Sequence, residues 1–273
     1  MPRPAHISTG AAHERYWRAA LLASLVAIGG LIAFIAVTNA LYLGWHDFVW
    51  YITRSRTWRS FGLSVGTATA ATVLAMLVGV PVGYALSRGR VPLGRLVDAV
   101  IDLPIMVPPA AVGMFLLGFF SVPPAQWVET ALGIKVAHAL PGVVVAQVAV
   151  TVSFGVRVVK SSFDQASPRL DHVSRTLGAS ALYTFSRVTL PMATSGLLAG
   201  LVIVWARAIA EYESLMLFVG AIQGRTDVMP LAVYLDVTVG KLEWAITQSL
   251  LCMAIGLLSV IAFRRLGGRG YLL

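Results

Sequence analysis

An all-α integral membrane protein with six transmembrane helices is the expected fold of this 273-residue chain. Three observations lead there. Hydrophobic residues make up 58% of the sequence and charged residues only 12%, a balance that a soluble domain with a charged surface does not have. Mean hydropathy is +0.80. Six stretches, 19–46, 60–87, 103–128, 136–156, 188–206 and 244–263, contain no Asp, Glu, Lys or Arg. Each is close to or above the roughly 20 apolar residues that a helix needs to cross hydrocarbon. Backbone groups find no water inside a bilayer, so these stretches must satisfy their own hydrogen bonds as helices.

The first span is expected at 19–43, after a tail of residues 1–18. Its apolar run exceeds the ~7–15 residues of an export signal, and no small-x-small cleavage site follows, so it reads as a retained helix. With its outer loop it fills 19–57, where Trp45, Trp50, Tyr51 and Trp58 suit an interfacial belt. The second span, 63–87, is dense in small residues, including Gly62, Gly66, Ala68, Ala70, Ala71, Ala75, Gly79 and Gly83. They let backbones approach closely, as in a tightly packed bundle open to dimerisation.

The third span is expected at 99–120, with Asp98 and Asp102 at its start, where carboxylates favour the positive end of the helix dipole. Pro104, Pro108 and Pro109 remove amide donors and disturb its ladder. Irregular backbone at membrane depth is tolerated only against protein or a cavity, which makes these prolines candidates for a water-lined path, with simple kinks as the alternative. The fourth span is placed at 136–159 and the fifth at 193–219. Arg207 and Glu211 lie inside the fifth at i,i+4 spacing and share a helix face. Charges in lipid face partners or water, so this pair also either lines the path or only fixes helix packing. Glu213 and Arg225 lie nearer the outer end, where solvation accounts for them. The sixth span, 243–263, holds the single cysteine, Cys252, which excludes an intrachain disulfide and a thiolate metal cluster.

Of 21 Lys and Arg, fourteen fall on the side holding both termini and the 157–193 segment, six fall on the other side, and Arg207 lies within the fifth span. The excess places both termini in the cytoplasm. Arg54, Arg56 and Arg59 run against the rule. The formal charge of +9 lies in loops of a membrane protein, so topology rather than nucleic acid explains it.

The segment between the fourth and fifth spans reads as two short cytoplasmic helices. Ser167 is placed to cap the first and Pro168 to open it; Leu170, Val173 and Leu177 repeat at helical spacing until Gly178 offers a left-handed stop. Ser180 is placed to cap the second, whose Leu182, Phe185 and Val188 share a face before Leu190-Pro191 breaks it. Such an element either packs on its own helices or docks a partner.

Here the chain resembles the permease subunits of bacterial ABC importers, whose signature is EAA, three residues, Gly, nine residues, Ile-x-Leu-Pro. Gly178 fills the glycine position, Val188 stands for Ile, and Leu190-Pro191 match, while Arg175-Thr176-Leu177-Gly178-Ala179-Ser180 reads as a common form of the motif's centre. EAA itself is replaced by His172-Val173-Ser174, with Asp171 just before it as a partial stand-in for the glutamate. The resemblance covers 58–265 and implies the type I ABC importer (MetI-like) permease fold, with a coupling loop at 161–192 and a cytoplasmic tail at 266–273. It implies that Leu170, Asp171, His172, Val173, Ser174, Arg175, Thr176, Leu177, Gly178, Ala179, Val188, Leu190 and Pro191 form coupling helices for an ATPase. Pro104, Pro108, Pro109, Arg207 and Glu211 become candidates for the translocation path.

Implied partners are an ABC ATPase dimer, which carries ATP and Mg2+, a second permease copy or paralogue, an extracytoplasmic substrate-binding protein and the lipid bilayer. No cofactor or nucleic acid is expected on this chain. The implied location is the cytoplasmic (inner) membrane of a prokaryote. Asp102-Leu103-Pro104, Val107-Pro108-Pro109, Ala206-Arg207, Glu211-Tyr212, Phe218-Val219-Gly220 and the run from Met229 to Tyr234 resemble the branch that moves molybdate, tungstate and sulfate. A permease for phosphate, iron or a polyamine is the alternative, followed by a secondary transporter, which the lack of an evident inverted repeat disfavours.

Enzyme readings find little support. Gly89 and Gly94 have P-loop spacing, but Arg95-Leu96 follow where Lys and Ser or Thr belong. The histidines at 6, 13, 46, 138 and 172 have no metal-ligand spacing. Ser195-Gly196 resembles an intramembrane protease motif only weakly, since residue 193 is Ala and His138 lies at a membrane edge.

Overall fold

The computed structural model describes residues 8–89 and 92–266, with no β-strand among them. Five of its helices are long and apolar enough to cross a membrane, and a sharply bent helix pair supplies the sixth span when counted as one broken crossing. That matches the expected class; the boundaries differ for physical reasons given below.

Helix α1, Ser8–Leu43, stands at the periphery with most of its apolar side chains between Tyr16 and Tyr42 exposed and only Leu43 buried among them, the state expected of a helix whose solvent is lipid. Gly44, at φ +73°, turns the chain into the short α2, Trp45–Ile52. The expected aromatic belt is partly a packing cluster: the Trp50 and Tyr51 rings lie 6.1 and 4.9 Å from that of Trp244. Helix α3, Ser55–Ser87, begins eight residues before the expected second span. Its small residues serve close packing within the chain. A Cβ on Gly83 would lie 2.7 Å from Val159 Cγ1 and 2.9 Å from the Lys160 amide nitrogen, so only glycine fits there. Gly62, Gly66 and Ala70 instead line an open groove beside Leu140, Pro141 and Val144.

The expected third span is two helices. α4, Gly94–Met106, and α5, Pro109–Phe120, meet at 104° across Val107-Pro108. Two prolines in a row remove two consecutive amide donors, and the residue before a proline avoids the α region, so Val107 is extended at ψ 133° and the ladder ends. Asp98 and Asp102 do not serve the helix dipole: α4 starts at Gly94 with no acid in its first turn. They face α7 and its Arg157 instead. After α6, Pro123–Leu132, the long α7, Leu140–Gln165, forms the centre of the bundle. It buries Val143, Ala146, Val150, Val156, Val159 and Phe163 and runs six residues beyond its expected end.

Then come α8, Pro168–Thr176, and α9, Ala181–Thr184. Leu190-Pro191 does not break the second coupling helix. α9 passes through a π-helical turn, Phe185–Thr189, into α10, Leu190–Ile209, making one apolar helix from Ala181 to Ile209. Pro191 has no amide to donate and its ring crowds the carbonyl four residues back, and one widened turn accommodates both effects. The fifth span also ends earlier than expected. Ala210 to Tyr212 leave the helix, and two short helices follow, α11, Glu213–Phe218, and α12, Met229–Thr238, before the last span, α13, Leu242–Leu266.

Apolar cores close the bundle near each end. Far from α8, Val143, Ala146, Leu215, Phe218, Val219, Val228 and Leu231 join α7, α11 and α12. Near α8, Val159, Phe163 and Ala193 pack with Tyr84 and Phe185.

Candidate functional site

Helix α8 is held from within and presents its apolar residues outward. Asp171 is buried: its Oδ2 accepts from Arg88 Nε at 2.8 Å and its Oδ1 from the Thr189 hydroxyl at 2.7 Å. The Arg88 and Asp171 side chains are only 6% and 7% exposed. Removing one partner of such a pair costs about 3–5 kcal/mol, because the other is left charged without water. Ser174 and Thr184 hydroxyls, 3.0 Å apart, add a second tie between α8 and α9.

Between the two helices the chain closes as the sequence suggests. Gly178 is left-handed at φ +89°, its amide donates to the Arg175 carbonyl, and the Ala179 amide reaches the Ser174 carbonyl at 3.1 Å. This pairing satisfies the last carbonyls of α8. Ser180 caps α9 by accepting from the Tyr183 amide at 3.2 Å. Ser167 makes no side-chain cap; Pro168 opens α8 without one.

Leu170, Val173, Leu177, Leu182 and Tyr183 are exposed, Leu177 at 82%. Side chains of this size gain about 1.5–3 kcal/mol each on leaving water, so this exposed group favours cover by protein or lipid. His172, Arg175, Thr176 and Gly178 are exposed beside them, and Ala179 is half-buried. Asp171 is therefore turned away from any partner, and α8 offers a partner no carboxylate in place of the motif's glutamate. Val188 and Leu190 are half-buried at the root of α10, and Pro191 is exposed.

Of the path candidates, Arg207 and Glu211 come together at the other end. Arg207 Nη1 donates to Glu211 Oε2 at 2.6 Å, while Glu211, 1% exposed, uses Oε1 to accept from the Ser214 amide and hydroxyl at 3.0 and 2.9 Å. Glu211 thus caps α11 from the break after α10. A Cβ on Gly113 would stand 2.6 Å from the Ser214 carbonyl oxygen, so α5 rests directly on α11. One short chain of contacts links Arg207 and Glu211 to the helix that starts at Pro109. Pro108 is exposed at the bend, and Pro104 and Pro109 are half-buried. A separate cavity of about 560 Å³ between α10, α12 and α13 is lined by Ile209, Tyr212, Met229, Tyr234 and Cys252 among others. No charged residue lines it; its polar side chains are the hydroxyls of Tyr212, Tyr234, Ser249 and Ser259 and the thiol of Cys252.

Several contributors escape sequence reasoning. Arg88 and Thr189 complete the Asp171 cluster; Gln147 Nε2, at membrane depth, donates to the Ala208 carbonyl at 3.0 Å. Arg157 joins α7 to α4 through Asp98, at 3.5 Å, and Asp102. The three arginines that oppose the charge rule also have partners. Arg54 lies 3.8 Å over the Trp50 ring, Arg56 donates to buried Asp236 at 2.5 Å, and Arg59 pairs with buried Asp227 at 3.6 Å.

The described residues thus form a multi-pass helical body, with the short helix α8 in the connection between two candidate spans. Residues 79–269 match the family described as binding-protein-dependent transport system inner membrane component, and the chain belongs to that family. It is thus a permease of the type I ABC importers, a membrane component of such a system.

The chain is 34% identical over 242 residues to the molybdenum transport system permease protein ModB of Mycobacterium tuberculosis, covering 87% of this chain and 90% of that protein. The molybdate/tungstate transport system permease protein WtpB of Pyrococcus furiosus is 36% identical over 154 residues, 56% of this chain and 57% of its own length. Among solved structures, a bacterial alginate ABC transporter in complex with an alginate pentasaccharide-bound periplasmic protein superimposes with a TM-score of 0.67 at 16% identity. The superposition covers 95% of this chain and 98% of that one. The inward-facing MetNI methionine ABC transporter gives 0.57 at 16% identity over 80% of this chain and 97% of its own. These two likenesses concern the fold.

Proposed function

We propose that this chain moves a tetrahedral oxyanion, molybdate or tungstate first and sulfate next, across the cytoplasmic membrane as the permease of an ATP-driven importer. Relatives named for molybdenum and tungstate transport support that substrate class. Two copies, or one copy and a paralogue, enclose the path. A binding protein outside the cell delivers the anion, and an ATPase dimer inside, which holds ATP and Mg2+, docks on α8 and α9. Both termini lie in the cytoplasm by the distribution of Lys and Arg. The exposed apolar group Leu170, Val173, Leu177, Leu182 and Tyr183 is the observation that carries this reading.

Closure of the ATPase dimer draws the two docking loops together and turns the spans as rigid bodies, opening the path outward, and hydrolysis reverses the motion. The anion is handled mainly by hydrogen-bond donors and helix N-termini, because strong fixed charge would slow release. Arg207, neutralised by Glu211, fits that requirement. Selectivity then rests mostly with the binding protein.

Two experiments test this. Leu177→Glu places a charge in the docking surface and is expected to remove the ATPase from the purified complex and abolish uptake while the chain stays in the membrane; a complex unchanged by L177E would refute the dock. A strain lacking the chain is expected to lose molybdate or tungstate uptake. Equal uptake of molybdate, tungstate and sulfate with and without the chain would remove the oxyanion assignment and favour phosphate, iron or a polyamine.

A further inference from the structure

We propose that Arg88 is a positioning residue of the coupling step, the joint through which movement of the docking helix α8 reaches the membrane spans. The inference rests on the reading of α8 as the ATPase dock. Helix α8 is short and is joined to α7 only through Ala166 and Ser167. A push on it moves the spans only if something stiffer than that link connects them.

Arg88 supplies the connection with one side chain. Its Nε donates to Asp171 on α8 at 2.8 Å, Nη1 to the Phe163 carbonyl at 3.0 Å, and Nη2 to the Ala166 carbonyl at 3.2 Å. Those carbonyls belong to the last turn and C-cap of α7, where helical partners run out. The other oxygen of Asp171 takes the Thr189 hydroxyl at the root of α10. The ends of α3 and α7, the docking helix and the start of α10 therefore meet at a single guanidinium–carboxylate pair.

An aromatic layer stiffens the joint from below, with the Tyr84 ring 5.2 Å from Phe163 and 4.8 Å from Phe185. The planar fork of arginine matters here. Lysine keeps the charge but concentrates its donors at one point, so it cannot hold the carboxylate and both carbonyls in this geometry.

The test uses the full chain purified with its ATPase and binding protein in proteoliposomes, reading molybdate uptake per ATP hydrolysed and per assembled complex. Arg88→Gln is expected to keep the ATPase bound and hydrolysing while uptake per ATP falls by about 10-fold or more, since small misplacements of a coupling element have large effects on rate. Arg88→Lys and Thr189→Val are expected to show smaller falls in the same ratio. These two variants decide the matter if Arg88→Gln does not assemble. An unchanged ratio in the variants that assemble would overturn the inference and leave the dock intact. A wild-type preparation without bound ATPase or without molybdate uptake would overturn the reading on which it rests, and the inference with it.

Discussion

Arg56, Arg88, Arg157 and Arg207 each face a carboxylate, but the pairs differ in what they can do. Arg56–Asp236 is closed, its side chains 15% and 0% exposed. Asp236→Asn leaves Arg56 without its counter-charge, and a loss of about 3–5 kcal/mol in stability is expected, read as a lower unfolding temperature in detergent. Replacing both, Arg56→Met with Asp236→Leu, should recover most of it, because no unpaired charge then remains. Arg207–Glu211 is half open, with Arg207 at 29% exposure. Glu211→Gln keeps an acceptor for Ser214 and removes the charge that neutralises Arg207. Its expected signature is a stability within about 1 kcal/mol of wild type together with slowed uptake. A loss of stability with uptake per folded molecule unchanged would restrict the pair to packing. Arg207 and Glu211 were legible in the sequence because charge inside an apolar run stands out. Arg88 was not, because it follows its run and looks like any loop arginine.

Between α3 and α7 the interface depends on the absence of side chains. Gly83→Val would drive atoms into Val159 and the backbone of Lys160, and overpacking of this kind costs about 1–3 kcal/mol. Gly62→Ala meets nothing within 4 Å and should be neutral in the isolated chain. Comparing unfolding temperatures of the two variants checks the contrast, and a loss of assembled complex in G62A alone would place that face against a second subunit. The sequence marks both glycines equally, as small residues on one span, and does not distinguish the face against α7 from the open one. It likewise signals disturbance at Pro108-Pro109 and Pro191 without its outcome. Two adjacent prolines end the ladder and bend it by 104°, whereas the lone Pro191 is absorbed in a π-turn that keeps α9 and α10 continuous.

Across the whole molecule, orientation can be tested with single cysteines in a Cys252→Ser background. In right-side-out vesicles a membrane-impermeant maleimide is expected to label Thr130→Cys and to spare Leu177→Cys until the vesicles are opened; the reverse pattern would invert the topology. Arg54, Arg56 and Arg59 run against the charge rule that suggests this orientation. Arg56 is held in a buried pair with Asp236, whereas Arg54 over Trp50 and Arg59 near Asp227 stay exposed. The helical membrane class and the place of the short helix α8 between two spans follow from sequence alone, because hydropathy and motif spacing are local sums over neighbouring residues. The lock on α8, the seating of α5 on α11 and the direction Asp171 faces follow from how distant helices pack. Arg88 and Asp171 lie 83 residues apart, and no local property of either segment brings a charge on one opposite a charge on the other.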